Sequence, residues 1–210
     1  MFEETLHTKT KSLLKKMGDF TNRHNFYLAG GTALALQLGH RISVDLDFFS
    51  QKSIDTEKLK KNLSDFGFKY QINSESQGTL ELVIDDVKVS FMEYRYPILN
   101  SFELFEKSKL ASIMDIACMK ITAISSRGSK KDFFDIWIIL QKYNPLEIFD
   151  AVRKKYQGIN YSTAHLLKSL TYFKDAQNDP EPILLVKTNW EEVQKDITKK
   201  ISPLIKAHSI

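Results

Sequence analysis

The residues best suited to chemistry lie between Phe26 and Ser50, in FYLAGGTALALQLGHRISVDLDFFS. Asp45 and Asp47 alternate there with Val44, Leu46 and Phe48, so a strand over Val44–Phe49 sets both carboxylates on one face. Neighbouring carboxylates repel each other, and a hard divalent cation relieves that repulsion. Upstream, Gly30-Gly31 allows a sharp turn and a close approach of ligand to backbone. Thr32 then opens a short helix, Thr32–Leu38, which Gly39 closes from the left-handed region. The exposed N–H groups at that helix start, at the positive end of its dipole, suit a phosphate. A phosphate cradle a few residues from a magnesium-binding carboxylate pair is equipment for moving a phosphoryl or nucleotidyl group.

Several elements must hold these groups in place. Leu6, Leu13, Leu14, Met17 and Phe20 recur at helical spacing, predicting an amphipathic helix over residues 3–23 that covers the following strand. Asp55–Phe66 reads as a second amphipathic helix, stopped by Gly67. From Phe68 the period becomes two, predicting strands over Phe68–Asn73, Thr79–Ile84 and Val87–Tyr94, with Asp85-Asp86 as a tight hairpin turn. After Pro97 the pattern is helical. One helix begins at the capping-box-like Ser112–Asp115 and ends near Arg127-Gly128, and Lys130–Tyr143 follows, stopped by Asn144-Pro145. Three more are expected over 146–156, 162–174 and 189–207.

The two phrases AGGTALAL and HRISVDLDFF, Gly-Gly-Thr followed by Asp-x-Asp, resemble the nucleotidyltransferase superfamily related to DNA polymerase β. More narrowly they resemble its AbiEii/AbiGii toxin branch, the toxin half of type IV toxin–antitoxin and phage abortive-infection systems. A second block, MKITAISSRGSKKDFFDIWIIL at Met119–Leu140, is similar to that branch's downstream Lys and Arg-Asp motif. Together the blocks cover about a fifth of the chain. The fold implied is α+β: a polymerase β-like mixed sheet with packed helices in residues 1–105, then a helical region, 106–210, packed on that core.

The resemblance implies a Mg²⁺-dependent enzyme that moves NMP from a nucleoside triphosphate to a hydroxyl, of RNA (tRNA ends in particular) or of a protein. Asp45 and Asp47 would hold one or two Mg²⁺ ions. Gly30, Gly31 and Thr32 would cradle the triphosphate through backbone N–H groups and the Thr32 hydroxyl. Arg41 and Ser43 stand in the turn before the aspartates, either contacting phosphate or, for Arg41, bracing the carboxylates. Lys120 by itself reads as a lysine snorkelling from an apolar helix, whereas the resemblance associates it with the triphosphate. On the resemblance Asp132 would be an active-site carboxylate, oriented toward Lys120 or the acceptor, and Asp135 would be a structural partner, of Arg127. The biological partner would be a separately encoded antitoxin, typically a DNA-binding repressor that need not touch the toxin.

Two positions depart from the pattern. Superfamily enzymes usually add a third carboxylate from a neighbouring strand, but the phrase Val87-Lys88-Val89-Ser90 puts a neutral hydroxyl there. Glu93, three residues on, points to the opposite face and needs a bulge to replace it. Lys131 stands where the motif has arginine, keeping charge but losing bidentate recognition. Loss of the third carboxylate supports an alternative: a catalytically weakened nucleotide- or partner-binding module on the same fold. An aminoglycoside-modifying enzyme is a third reading, disfavoured by lysine richness.

Composition bounds the rest. The net charge of +4 comes almost wholly from lysine, only five residues being arginine. No apolar run approaches the roughly 20 residues that span a bilayer, and the N-terminus lacks a signal peptide's apolar core. A single cysteine, Cys118, excludes an intrachain disulfide and a multi-cysteine zinc site. The five histidines form no metal-ligand spacing. A cytoplasmic location is the default expectation, with no membrane partner.

Overall fold

The computed structural model describes residues 1–207. The chain divides into two compact units, Met1–Ser112 and the residues from Ile113 onward. The first is built on a mixed seven-stranded sheet in the order β3-β4-β5-β2-β1-β7-β6. Its strands are β1 (Tyr27–Ala29), β2 (Leu46–Ser50), β3 (Gln71–Ser76), β4 (Thr79–Ile84), β5 (Val87–Glu93), β6 (Glu103–Phe105) and β7 (Ser108–Leu110). The β2–β5 and β1–β7 pairs are parallel, the rest antiparallel. One sheet face is the core: Leu46, Phe48, Leu80, Leu82, Val89 and Phe91 are all buried. Helix α1 (Thr8–Arg23) lays Leu13, Leu14, Met17 and Phe20 into it, and Phe20 meets Phe91 edge-on at 6.1 Å. Each such side chain contributes about 1.5–3 kcal/mol of burial.

The local differences from expectation have identifiable causes. The helix expected from residue 3 starts at Thr8, because Leu6 pairs with Ser43 in a parallel bridge. The expected strand Val44–Phe49 begins only at Leu46: the Val44 carbonyl accepts the Thr10 hydroxyl and the Asp45 carbonyl accepts that of Thr32. Val44 is accordingly exposed, not on the core face. Strand β3 starts at Gln71, since the Phe68 N–H instead closes the end of α3 (Thr56–Asp65) on the Leu63 carbonyl. The Asp85-Asp86 turn is as expected, both residues having positive φ. The β6–β7 hairpin, unforeseen, extends the sheet past residue 105.

The second unit contains α4 (Ile113–Arg127), α5 (Lys130–Leu140), α6 (Pro145–Lys155), α7 (Thr163–Ser169) and α8 (Trp190–Ala207). Asn144 and Glu147 form a capping box at the start of α6. Phe133, Phe134, Phe173 and Trp190 cluster with ring centroids 5.0–5.8 Å apart. Trp137 is half-buried, and its indole N–H donates to Asp196 at 3.0 Å. Cys118 is a core residue, its thiol pushed up to about 12 by burial. Helices α5 and α7 stop at Leu140 and Ser169, short of the expected 143 and 174. No helix among the described residues is long and apolar enough to cross a membrane.

Candidate active site

Helix α2 (Gly30–Leu38) begins earlier than its threonine suggested, with both glycines in its first turn. Gly39 ends it at φ +68, as a left-handed C-cap donating to the Ala35 carbonyl. No side chain caps the start, Ala29 being the N-cap residue. Antiparallel pairing sets Ala29 opposite Asp47, which brings the Asp47 carboxylate beside Gly30. Gly30 has φ +68, and a Cβ there would stand 2.6 Å from Asp47 Oδ2. A Cβ on Gly31 would collide with the Arg41 guanidinium and sit 3.4 Å from Ser43 Oγ. The missing side chains of consecutive glycines thus make room for a carboxylate and a guanidinium.

Thr32 fastens this arrangement. Its hydroxyl is buried, lies 2.8 Å from Ser43 Oγ, and donates to the Asp45 carbonyl. It was expected to face the triphosphate; in the structure it holds in place the segment that carries the aspartates. Arg41 is also buried, with Nη1 donating to the Ile42 carbonyl at 3.1 Å. Asp45 and Asp47 are partly exposed. Magnesium characteristically takes one or two carboxylates and completes its shell with water and substrate phosphates. Asp45 and Asp47 fit that mode of binding. Among the described residues, no group of three or more His, Cys, Asp or Glu side chains forms a ready-made metal cage.

Parallel pairing of β2 with β5 places Ser90 beside Asp47, and antiparallel pairing of β4 with β5 places Glu81 beside Ser90. Register partners share a sheet face, so Asp47, Ser90 and Glu81 form one row across three strands. Glu81 is half-buried and lies 3.6 Å from Lys88. Sequence reasoning passed over Glu81, although the Asp85-Asp86 turn specifies the pairing: counting outward, Ile84 meets Val87 and Glu81 meets Ser90. Glu93 serves elsewhere, accepting from the Ile54 N–H and pairing with Arg95.

In the second unit, Lys120 does not snorkel. Its side chain is 6% exposed, with Nζ 2.6 Å from Asp132 and 2.5 Å from Asp135, both carboxylates being fully buried. Arg127 Nε reaches Asp132 at 3.0 Å, while its own side chain is 60% exposed. Burial disfavours the ionised Asp132, but Lys120 and Arg127 outweigh it and hold the carboxyl below its ordinary value. Two assignments change. Asp135 pairs with Lys120, and the arginine that partners Asp132 is Arg127 at the end of α4. Lys131, assigned to the Arg-Asp motif, is exposed. A separate buried pair, Lys155 and Asp115 at 2.7 Å, ties α6 to α4.

The structure thus gathers Gly30, Gly31, Thr32, Arg41, Ser43, Asp45 and Asp47 in the first unit, and Lys120 with Asp132 in the second. Comparison with known proteins fits both halves. The family model described as "Nucleotidyl transferase AbiEii toxin, Type IV TA system" matches residues 12–99 and 67–207. Uncharacterized protein aq_aa25 of Aquifex aeolicus (strain VF5) is 38% identical over 213 residues, covering 93% of this chain and 96% of that protein. Among solved structures, MenT4, nucleotidyltransferase toxin Rv2826c from Mycobacterium tuberculosis H37Rv, superimposes with a TM-score of 0.61 at 14% identity, over 93% of this chain and 85% of that one. JHP933 from Helicobacter pylori gives 0.56 at 18% identity, over 98% and 91%. The structural likenesses speak to the α+β fold, and the family match and the sequence relative to membership. The chain belongs to the AbiEii family of nucleotidyltransferase toxins of type IV toxin–antitoxin systems.

Proposed function

We propose that this nucleotidyltransferase moves NMP from a Mg²⁺-bound nucleoside triphosphate to a hydroxyl of RNA. The observation that carries the reading is the Asp47 carboxylate lodged against Gly30 at the uncapped start of α2. There, a carboxylate for a cation and backbone N–H donors for phosphate lie side by side. When bound at Asp45 and Asp47, Mg²⁺ would supply charge neutralisation at the triphosphate. The protein's own part is positioning. The first turn of α2 orients the phosphates, Thr32 fixes Asp45 through its carbonyl, and Arg41 braces the glycine turn from below. The acceptor oxygen bonds the α-phosphorus, the bond to the β-phosphate oxygen breaks, and pyrophosphate leaves. Glu81, next in the row beyond Ser90, takes the acceptor's proton and so supplies the carboxylate that Ser90 lacks. Strands lie about 4.8 Å apart, so the Glu81 and Asp47 backbones are about 10 Å apart, a gap two extended acidic side chains can close around a reacting centre.

In the second unit, Lys120 organises Asp132, which in turn orients Arg127 toward substrate phosphate. Lys120 is therefore a positioning residue on this reading. The charge distribution supports a nucleic-acid acceptor. Residues 1–112 carry 15 basic and 15 acidic side chains, residues 113–210 carry 15 and 11, so the whole net charge of +4 belongs to the second unit. Family membership implies an antitoxin partner, and we place the protein in the cytoplasm with its substrates.

Ser90 favours one rival, a nucleotide-binding module without turnover. Calorimetry with Mg²⁺–ATP and Mg²⁺–GTP, beside transfer of α-labelled nucleotide to total RNA, separates the two. Binding with transfer supports the enzyme; binding without any transfer supports the module.

A further inference from the structure

Asp47 and Asp45 are placed by different means. Asp47 sits inside β2 and is registered on both sides, against Ala29 of β1 and Ser90 of β5. Asp45 lies one residue ahead of β2, outside that ladder. A carboxylate whose backbone is free to shift must be ordered when it takes a cation, and that ordering weakens the complex.

The segment leading to Asp45 is held from two sides. From α2, Thr32 bonds Ser43 Oγ and the Asp45 carbonyl. From the first ten residues come three further links. The Ser43 N–H donates to the Thr5 carbonyl at 2.9 Å, and Leu6 forms its parallel bridge with Ser43. The Thr10 hydroxyl, in the first turn of α1, donates to the Val44 carbonyl at 3.1 Å. Behind these, the Thr5 hydroxyl donates to the Phe2 carbonyl at 2.6 Å, and the Phe2 N–H to the Leu36 carbonyl at 2.8 Å, which returns the segment to α2. Thr5 and Thr10 are both buried. A buried helical threonine commonly turns its hydroxyl back to a carbonyl three or four residues earlier. Thr21, on the same helix, does this with Gly18 at 3.1 Å. Thr10 instead reaches the residue before Asp45, 34 positions along the chain.

We infer that Thr10, with Thr5 behind it, is a positioning residue for the divalent cation: its bond to Val44 sets the Asp45 carboxylate beside that of Asp47. The inference rests on the metal role proposed for the two aspartates and extends it to residues outside the motif. A cation held by only two carboxylates depends on the placement of each. Groups one step behind a metal ligand commonly alter metal affinity by about 10–100-fold.

Binding of Mn²⁺ alone to the full chain, followed by the electron paramagnetic resonance of the free ion, tests this without turnover. Thr10→Val removes the hydrogen bond and nearly keeps the shape, and should weaken Mn²⁺ by about tenfold. Thr5→Val should act in the same direction. Thr10→Ser retains the hydroxyl and should bind as the parent does. Thr21→Val removes a comparable buried hydroxyl about 16 Å further along the helix. It should lower the unfolding midpoint without moving Mn²⁺ affinity. Asp45→Asn should weaken Mn²⁺ at least as much as Thr10→Val. If Asp45→Asn loses affinity but Thr10→Val binds like the parent, Thr10→Ser fails to rescue, or Thr21→Val weakens Mn²⁺ equally, the inference alone is overturned. A parent that binds no Mn²⁺, or Asp45→Asn binding like the parent, removes the metal reading itself and this inference with it.

Discussion

The Asp47 carboxylate occupies the space that a side chain on Gly30 would need, its Oδ2 2.6 Å from where a Cβ would stand. Gly30 is also held at φ +68, a conformation that costs an L-residue about 1–2 kcal/mol. Gly30→Ala should therefore do two separable things. The unfolding midpoint should fall by that modest amount, and nucleotide transfer should fall by about a hundredfold, because Asp47 is displaced. A midpoint loss with full transfer would show that Asp47 need not sit where it does.

Glu81 and Ser90 make a paired prediction. Glu81→Gln, half-buried and nearly isosteric, should leave stability within about 0.5 kcal/mol and lower kcat by about a hundredfold or more, with little change in nucleotide affinity. Adding Ser90→Asp to that variant should restore much of the loss. Rate measurements on the single and double variants decide whether the row supplies a proton acceptor.

The Lys120 cluster is predicted to be costly to break. Replacing Lys120 by Met leaves Asp132 and Asp135 buried beside each other, which should cost about 3–5 kcal/mol in urea unfolding. Arg127→Ala leaves the buried Asp132 with Lys120 still in place, so it should cost about 1–3 kcal/mol, less than Lys120→Met, while raising KM for the nucleotide about tenfold.

Asp132 also makes a pH prediction. Its native carboxyl titrates below its ordinary 3.8, so the unfolded chain binds this proton first as pH falls. Its stabilising contribution is complete at neutral pH, begins to decline near pH 4, and is lost as pH falls through the native value. Asp132→Asn should flatten that part of the urea midpoint profile between pH 5 and pH 3, measured against the parent at about the same steps.

Much of this was legible in the sequence. The Gly-Gly turn, the alternation of Leu46 and Phe48 around Asp47, and the Asp85-Asp86 hairpin are local signals, and local backbone preference decides them. What was not legible depends on contacts between elements. Asp45 falls outside β2 because side chains of Thr10 and Thr32 take carbonyls that a strand would otherwise pair. Strands β6 and β7 have three residues each, too few to display a period. The pairing of Arg127 with Asp132 crosses the Gly128-Ser129 break between two helices, so a motif sought at adjacent positions misses it. Glu81 can be placed by counting outward from the Asp85-Asp86 turn, since Ile84 pairs with Val87 and Glu81 with Ser90.

The most direct measurement is transfer of label from α-³²P nucleoside triphosphate to RNA by the parent and by the Asp45→Ala, Asp47→Ala double variant, with growth of expressing cells followed in parallel. A metal-holding pair predicts that both transfer and growth arrest disappear while the variant stays folded. Undiminished labelling and toxicity in a folded double variant would contradict it.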